Sequence, residues 1–325
     1  MENQAIPILD KASGSQARSS EVVIRLSNVS RYYGKRLAVN QLNLEVRRGD
    51  IFGFLGPNGA GKTTTIRMIF GLISPHAGRI EILGKESVRY RTQVLPRVGA
   101  LIETPTLYPY LSGRDNLEAI AAVLGGLPSQ HIDHVLELVG LHGRQKDRVR
   151  TYSLGMKQRL GVAIALLHDP DIVVLDEPAN GLDPAGIVEM RDLMYQLAAR
   201  GKTVFLSSHI LSEIQQICSR VAVINRGQLL TEAAVEDLTR GTGEFLVKVE
   251  EPIRALALLH DQPWGRKARL DEHGALITPA PNKRGSDLST FLVKSGFAPE
   301  TLASVILDLE SVFLTMTDSK GGEER

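Results

Sequence analysis

Lys62 closes a glycine-rich run, Gly56-Pro57-Asn58-Gly59-Ala60-Gly61-Lys62-Thr63-Thr64, that follows the pattern G-x-x-x-x-G-K-[ST]. These residue types in this order suit a polyphosphate. Glycines let successive backbone N–H groups turn toward one anion, and a following helix N-terminus adds partial positive charge. The Lys62 ammonium can reach the β- and γ-phosphates, and the Thr63 hydroxyl can ligate Mg²⁺. A second cluster would turn binding into hydrolysis. Ile172-Val173-Val174-Leu175 runs into Asp176-Glu177, placing two acids at the end of an apolar run. Asp176 can hold Mg²⁺ directly or through water, while Glu177 can take a proton from the attacking water or orient it.

Such side chains need a scaffold that brings them together. Ile51-Phe52-Gly53-Phe54-Leu55 before the glycine run reads as a buried strand, and Thr64 to Phe70 after it as a helix. The acidic run reads as a strand covered on both faces of a parallel sheet. Ligands of such sheets bind at the carboxyl ends of the strands. Thr203-Val204-Phe205-Leu206-Ser207 is another such strand and ends at Ser208-His209.

The chain has 325 residues, 43% of them hydrophobic, which fits a large globular domain plus a small one. A formal net charge of +1 supplies no basic field to recruit nucleic acid. The single cysteine, Cys218, excludes an intramolecular disulfide and suits a reducing compartment. No apolar run approaches the roughly 20 residues of a membrane-spanning helix. Ile6-Pro7-Ile8-Leu9, cut short by Asp10, is no signal peptide. Any membrane span is expected from a separate partner.

Residues 1–20 are polar and read as a disordered tail. Residues 21–240 alternate strand-like and helical runs, the mark of an α/β domain. Early strands are expected at Val22–Leu26 and Leu42–Val46, a further one at Arg79–Leu83, and helices at Leu117–Leu124 and Ile132–Val139. Val221–Ile224 followed by Asn225-Arg226-Gly227 reads as a strand and tight turn. The domain boundary falls at Gly241-Thr242-Gly243. Residues 241–318 then suggest a small α+β domain of ferredoxin-like order. It would comprise a strand at Phe245–Val249, a helix at Ile253–Leu259, strands flanking Asp271–Gly274, a helix at Leu288–Val293, a strand at Leu302–Leu307 and a helix at Leu309–Met316. Residues 319–325 form a second tail.

Tyr152-Ser153-Leu154-Gly155-Met156-Lys157-Gln158-Arg159-Leu160 precedes the acidic strand. Ser153 suits a helix cap, and Met156–Leu167 a helix ended by Asp169-Pro170. Serine and glycine at a helix N-terminus make a second anion site. With these motifs over about residues 22–237, the chain resembles the ATP-binding subunits of ABC transporters. The family signature is usually Leu-Ser-Gly-Gly-Gln. Ser153 and Gly155 are kept, with Tyr152, Leu154 and Met156 at the other places.

The resemblance implies a P-loop NTPase domain of the ABC type, with a helical subdomain, that binds ATP and Mg²⁺. Ser153 and Gly155 would touch the γ-phosphate held by an opposite subunit, in an ATP-dependent homodimer or ABC heterodimer. Tyr33, rather than its neighbour Tyr32, would stack on adenine, with a surface or packing role as the alternative. Asn180-Gly181-Leu182-Asp183 would communicate across the dimer, and His209 would contact the γ-phosphate. Glu103 stands where the family usually has glutamine, and is a candidate for both catalysis and Mg²⁺ binding. A carboxylate there calls for Mg²⁺ or a shared proton to offset its charge. The runs Val98–Pro105, Leu107-Tyr108-Pro109 and Leu309–Thr317 resemble the bacitracin- and lantibiotic-exporter branch and drug-exporter ATPases. The implied partner is a transmembrane permease, at the cytoplasmic face of the membrane, and the implied cargo a hydrophobic peptide, antibiotic or lipid-like molecule. A soluble ABC ATPase of translation or DNA repair is the rival reading. The single phosphate loop and the absence of heptad runs weigh against it. A non-hydrolysing nucleotide switch is a third, and Glu177 weighs against that.

Overall fold

The computed structural model describes residues 21–239, 243–305 and 308–313. The expected tails at 1–20 and 319–325, Gly241-Thr242 of the expected boundary, and the ends of the strand and helix expected at Leu302–Leu307 and Leu309–Met316 lie outside the described residues. In chain order the first elements are β1 (Val22–Tyr33), β2 (Arg36–Arg47), β3 (Ile51–Leu55), α1 (Lys62–Ile69), β4 (Ala77–Ile82), β5 (Lys85–Glu86), α2 (Arg91–Val94) and β6 (Val98–Leu101). Helices α3 (Gly113–Val123), α4 (Ser129–Leu138) and α5 (Leu154–Leu166) follow, then β7 (Ile172–Asp176), α6 (Pro184–Ala199), β8 (Thr203–Ser208), α7 (Leu211–Ile217), β9 (Arg220–Asn225), β10 (Gln228–Ala234) and α8 (Val235–Thr239).

Two sheets build the first unit. An antiparallel sheet has the order β2-β1-β4-β5, and a six-stranded sheet the order β10-β9-β3-β8-β7-β6. In the second, β9, β3, β8, β7 and β6 run parallel. Every residue of β3, β7 and β8 is buried, as unbroken apolar runs require when both faces of a sheet are covered. The register fixes the site. Leu55 pairs with Ser208, and Asp176 with Ser207, so β3, β7 and β8 end side by side. Arg226 and Gly227 both have positive φ, 47° and 78°, the conformation of a tight hairpin turn joining β9 to β10. Helix α3 starts one turn earlier than apolar spacing suggests, because Ser112 and Asp115 form a reciprocal capping box. Helix α6 carries the spacing Met190, Leu193, Met194, Leu197 on its buried face, a period that the sequence reading passed over.

At the amino ends of β6 and β7, away from the strand ends just described, charges gather around Asp171. Its carboxylate accepts from Arg97 Nε at 2.6 Å and lies 3.5 Å from Arg48 Nη1. The Arg97 hydrogen bond, with help from Arg48, holds the Asp171 carboxyl below the usual carboxylate range. A lowered folded-state value contributes stability above the unfolded value, and that contribution is lost as pH falls through the folded one. Asp171→Asn is therefore expected to cost about 1 kcal/mol at neutral pH. The difference should shrink toward zero well below about pH 4. Urea denaturation followed by circular dichroism at pH 7 and in acid measures both.

The chain divides into two compact units. One runs to Ile210 and resumes over Ile217–Glu232; the other comprises Leu211–Gln216 and continues from Ala233. The second unit contains β11 (Glu244–Lys248), α9 (Pro252–His260), β12 (Arg269–Leu270), β13 (Leu276–Pro279), α10 (Gly285–Lys294) and β14 (Thr301–Ser304). Its sheet order is β12-β13-β11-β14, with all pairings antiparallel. Taken with its chain order, this is the ferredoxin-like arrangement. Phe245, Val247, Leu259, Leu276, Leu288 and Leu292 form a core of its own. Part of the chain before β9 belongs here as well: Leu309 donates its backbone N–H to Gln215 Oε1 at 2.9 Å.

Candidate functional site

The loop between β3 and α1 is shaped by close approach. A Cβ on Gly56 would lie 2.4 Å from the Ile224 carbonyl oxygen. Gly61 sits at φ 109°, and a Cβ there would lie 2.6 Å from the Ala38 oxygen. Neither position admits a side chain without moving backbone. Helix α1 then begins at Lys62, with Gly61 as its cap and no side chain over its first N–H groups. Those groups are left for an anion.

Lys62 is buried, 6% exposed. Its ammonium donates to the Gly56 oxygen at 2.6 Å and lies 3.1 Å from Glu177 Oε1. The other Glu177 oxygen, Oε2, is 2.7 Å from His209 Nδ1. Glu177 therefore bridges the loop lysine and the histidine beyond β8. Its backbone has φ 51°, a left-handed conformation for a non-glycine residue. One residue earlier, at the end of β7, Asp176 Oδ2 accepts from the Thr63 hydroxyl at 2.8 Å. Ser207 completes the arrangement: its hydroxyl donates to Asp176 Oδ1 and accepts from the Glu177 N–H at 3.0 Å. Ser207 was not singled out in the sequence. The signal for it was its place two residues before His209, at the end of a strand parallel to the acidic one.

A cleft of about 550 Å³ is lined by Tyr33, Arg36, Ala38, Pro57, Asn58, Gly59, Gly61, Lys62, Thr63, Thr64, Glu177, Asn180 and His209, while Asp176 and Ser207 are buried and join it through their hydrogen bonds to Thr63 and Glu177. Its lining joins a glycine cradle, a lysine and an aromatic ring, which suit the phosphates and base of a nucleotide, with a carboxylate, Glu177, that could act on water beside them. The donor set also suits Mg²⁺, since a hydroxyl and a carboxylate are hard oxygen ligands. No group of three or more His, Cys, Asp or Glu fit to hold a metal occurs among the described residues. A magnesium ion would thus depend on phosphate oxygens and water to complete its shell.

Gly56 and Ala60 shape the loop without lining the cleft: Ala60 is buried, and its oxygen accepts from Gly227 N. Tyr33 reaches the cleft, with the Arg31 guanidinium 5.2 Å from its ring centroid. Tyr32 packs on His76 instead, the ring centroids 5.8 Å apart.

Three expected residues are not brought to the cleft. Ser153 caps α5, its Oγ accepting from Met156 N at 3.2 Å. Gly155 beside it lies against the Asn180–Asp183 loop, where its added Cβ would meet Leu182 at 3.7 Å. Glu103, at φ 62°, does not line the cleft. Its carboxylate is taken by Arg67 of α1, on the surface. The Arg67 guanidinium is the charged partner that Glu103 finds among the described residues.

Among known proteins, the ABC transporter family model matches residues 39–180. The bacitracin transport ATP-binding protein BcrA of Bacillus licheniformis is 48% identical over 225 residues, covering 69% of this chain and 74% of the relative. The lantibiotic transport ATP-binding protein SrtF of Streptococcus pyogenes is 39% identical over 210 residues, covering 65% of this chain and 90% of the relative. A solved ATP-binding subunit of an ABC transporter superposes with a TM-score of 0.60 at 28% identity, covering 67% of this chain and 92% of that one.

Proposed function

The chain belongs to the ABC transporter ATP-binding proteins, and from that membership and the cleft we propose that it hydrolyses ATP to drive an exporter whose membrane-spanning part is a separate permease. The observation that carries this reading is the convergence of Lys62, Thr63, Asp176, Glu177 and His209 at neighbouring strand ends. In the reaction, water adds to the γ-phosphorus, the bond to the β-bridging oxygen breaks, and ADP and phosphate leave. The loop N–H groups and Lys62 hold the phosphate charge. Glu177 orients the attacking water and takes up its proton, and His209 steadies the Glu177 carboxylate from Oε2. Mg²⁺, held by Thr63 and Asp176, would neutralise developing charge on the phosphate oxygens.

Ser153 and Gly155 stand outside their own chain's cleft. That supports a head-to-tail dimer in which each α5 N-terminus serves the nucleotide of the other subunit, whether the partner is a second copy or another ABC chain. Glu103, its charge offset by Arg67, is read as a coupling residue at the start of the segment leading to α3. The metal role expected for it gains no support from the lining of the cleft. No helix among the described residues is long and apolar enough to cross a membrane. The subunit would sit peripherally, on the cytoplasmic face. The two named relatives transport bacitracin and a lantibiotic, so a membrane-active peptide or similar hydrophobic molecule is the cargo class proposed.

The test is Ser153→Arg. It is expected to abolish hydrolysis while leaving the ATP affinity of the isolated subunit within about twofold, because Ser153 acts in trans. Mixed with Lys62→Ala, it should restore one competent composite site at most. Loss of ATP affinity in the isolated Ser153 variant would rule out the head-to-tail assembly.

A further inference from the structure

Arg36 opens β2 and pairs directly with Tyr33 across the tip of the β1–β2 hairpin. Residues opposite each other in an antiparallel pair project from the same face, and both line the cleft. Yet Arg31 and Arg36, the two arginines flanking Tyr33 on the hairpin, differ in what they do. Arg31 lies over the Tyr33 ring and donates to the Ser74 oxygen at 2.7 Å, so its guanidinium is engaged. Arg36 meets no carboxylate among the described residues. Its polar contact is one long hydrogen bond, Nη2 to the Gly59 oxygen at 3.4 Å, and a guanidinium carries five N–H donors.

The charges in the cleft point the same way. Lys62 already answers the one carboxylate that lines the cleft, Glu177, whose other oxygen is hydrogen-bonded to His209. A triphosphate brings several negative charges more, and Arg36 is poised over the loop whose N–H groups face phosphate.

We propose that Arg36 is a second phosphate-gripping cation of this cleft, carried by the hairpin tip, which ties that hairpin to the phosphate loop when a nucleoside di- or triphosphate binds. This rests on the reading of the cleft as the ATP site. The contact is to the phosphate chain and not the base, because the guanidinium lies on Gly59 within the loop. It also selects for charge, since adenosine carries no anionic group for the fork to grip.

The experiment measures equilibrium binding of ATP, ADP and adenosine to the full chain, with wild type, Arg36→Ala, Arg36→Lys and Lys62→Ala compared at low and high salt. Arg36→Ala is expected to weaken ATP and ADP by about tenfold each, with adenosine unchanged. Arg36→Lys should fall between, because the charge is kept and the planar fork is lost. Added salt should narrow every difference. Unchanged ATP affinity in Arg36→Ala overturns the proposal. So does an equal loss for adenosine, which would put Arg36 on the base or sugar. If Arg36→Ala does not fold, Arg36→Lys decides: affinity for ATP equal to wild type at low salt, with the fork gone, overturns it. Lys62→Ala separates the two levels. If it binds ATP as tightly as wild type, the cleft is not the nucleotide site. If it loses ATP while Arg36→Ala does not, only the role of Arg36 falls.

Discussion

Glu177→Gln is expected to slow steady-state ATP hydrolysis by about 10²–10⁴-fold, the range for removing a positioned acid–base group. Glutamine keeps the shape and can still accept a hydrogen bond from His209, but it cannot take the water's proton. The same change removes a negative charge beside the phosphate site and frees Lys62 from its 3.1 Å ion pair. ATP binding should therefore survive or tighten while turnover collapses, and the variant should accumulate as a nucleotide-bound dimer. Phosphate release, equilibrium ATP binding and the dimer fraction by size-exclusion chromatography measure the three effects. Turnover at the wild-type rate would remove Glu177 from the chemistry.

Lys62→Ala is expected to act one step earlier and weaken ATP binding on the order of 10²-fold, as when one member of a buried charge pair is truncated. Lys62 is the cation built into the loop itself, and burial strengthens what it contributes. Part of the loss comes from Glu177, whose Oε1 would be left facing the phosphates without its partner. Adding Glu177→Gln to Lys62→Ala should therefore recover some of the lost affinity. If the effects of the two changes on affinity simply add, the ion pair plays no part in nucleotide binding.

The motifs were legible because each one is local. A glycine run, an apolar strand with two acids and a capped helix announce themselves over a few residues. The ferredoxin-like order of the second unit was legible for the same reason, since alternating strands and helices carry its pattern. What escaped the sequence depends on pairing between distant segments. Ser207 matters because β8 lies beside β7 in a register that sets it opposite Asp176. Arg36 matters because a hairpin folds its tip over the loop. The partner of Glu103 proved to be Arg67, 36 residues earlier, and no local spacing announces that pair. The sharing of Leu211–Gln216 with the second unit is hidden in the same way.

The left-handed backbone at Glu177 has a bearing on how this protein would respond to selection. An L-residue other than glycine or asparagine held there costs about 1 kcal/mol, and nothing in the hydrophobic core depends on a carboxylate at that point. Glu177→Gly would relieve the strain and abolish the chemistry, but it would also leave the buried Lys62 ammonium without its 3.1 Å partner. The position is thus one where a strained backbone is held in place by the same partners that serve turnover, and a stabilising campaign on this scaffold would have to hold it fixed.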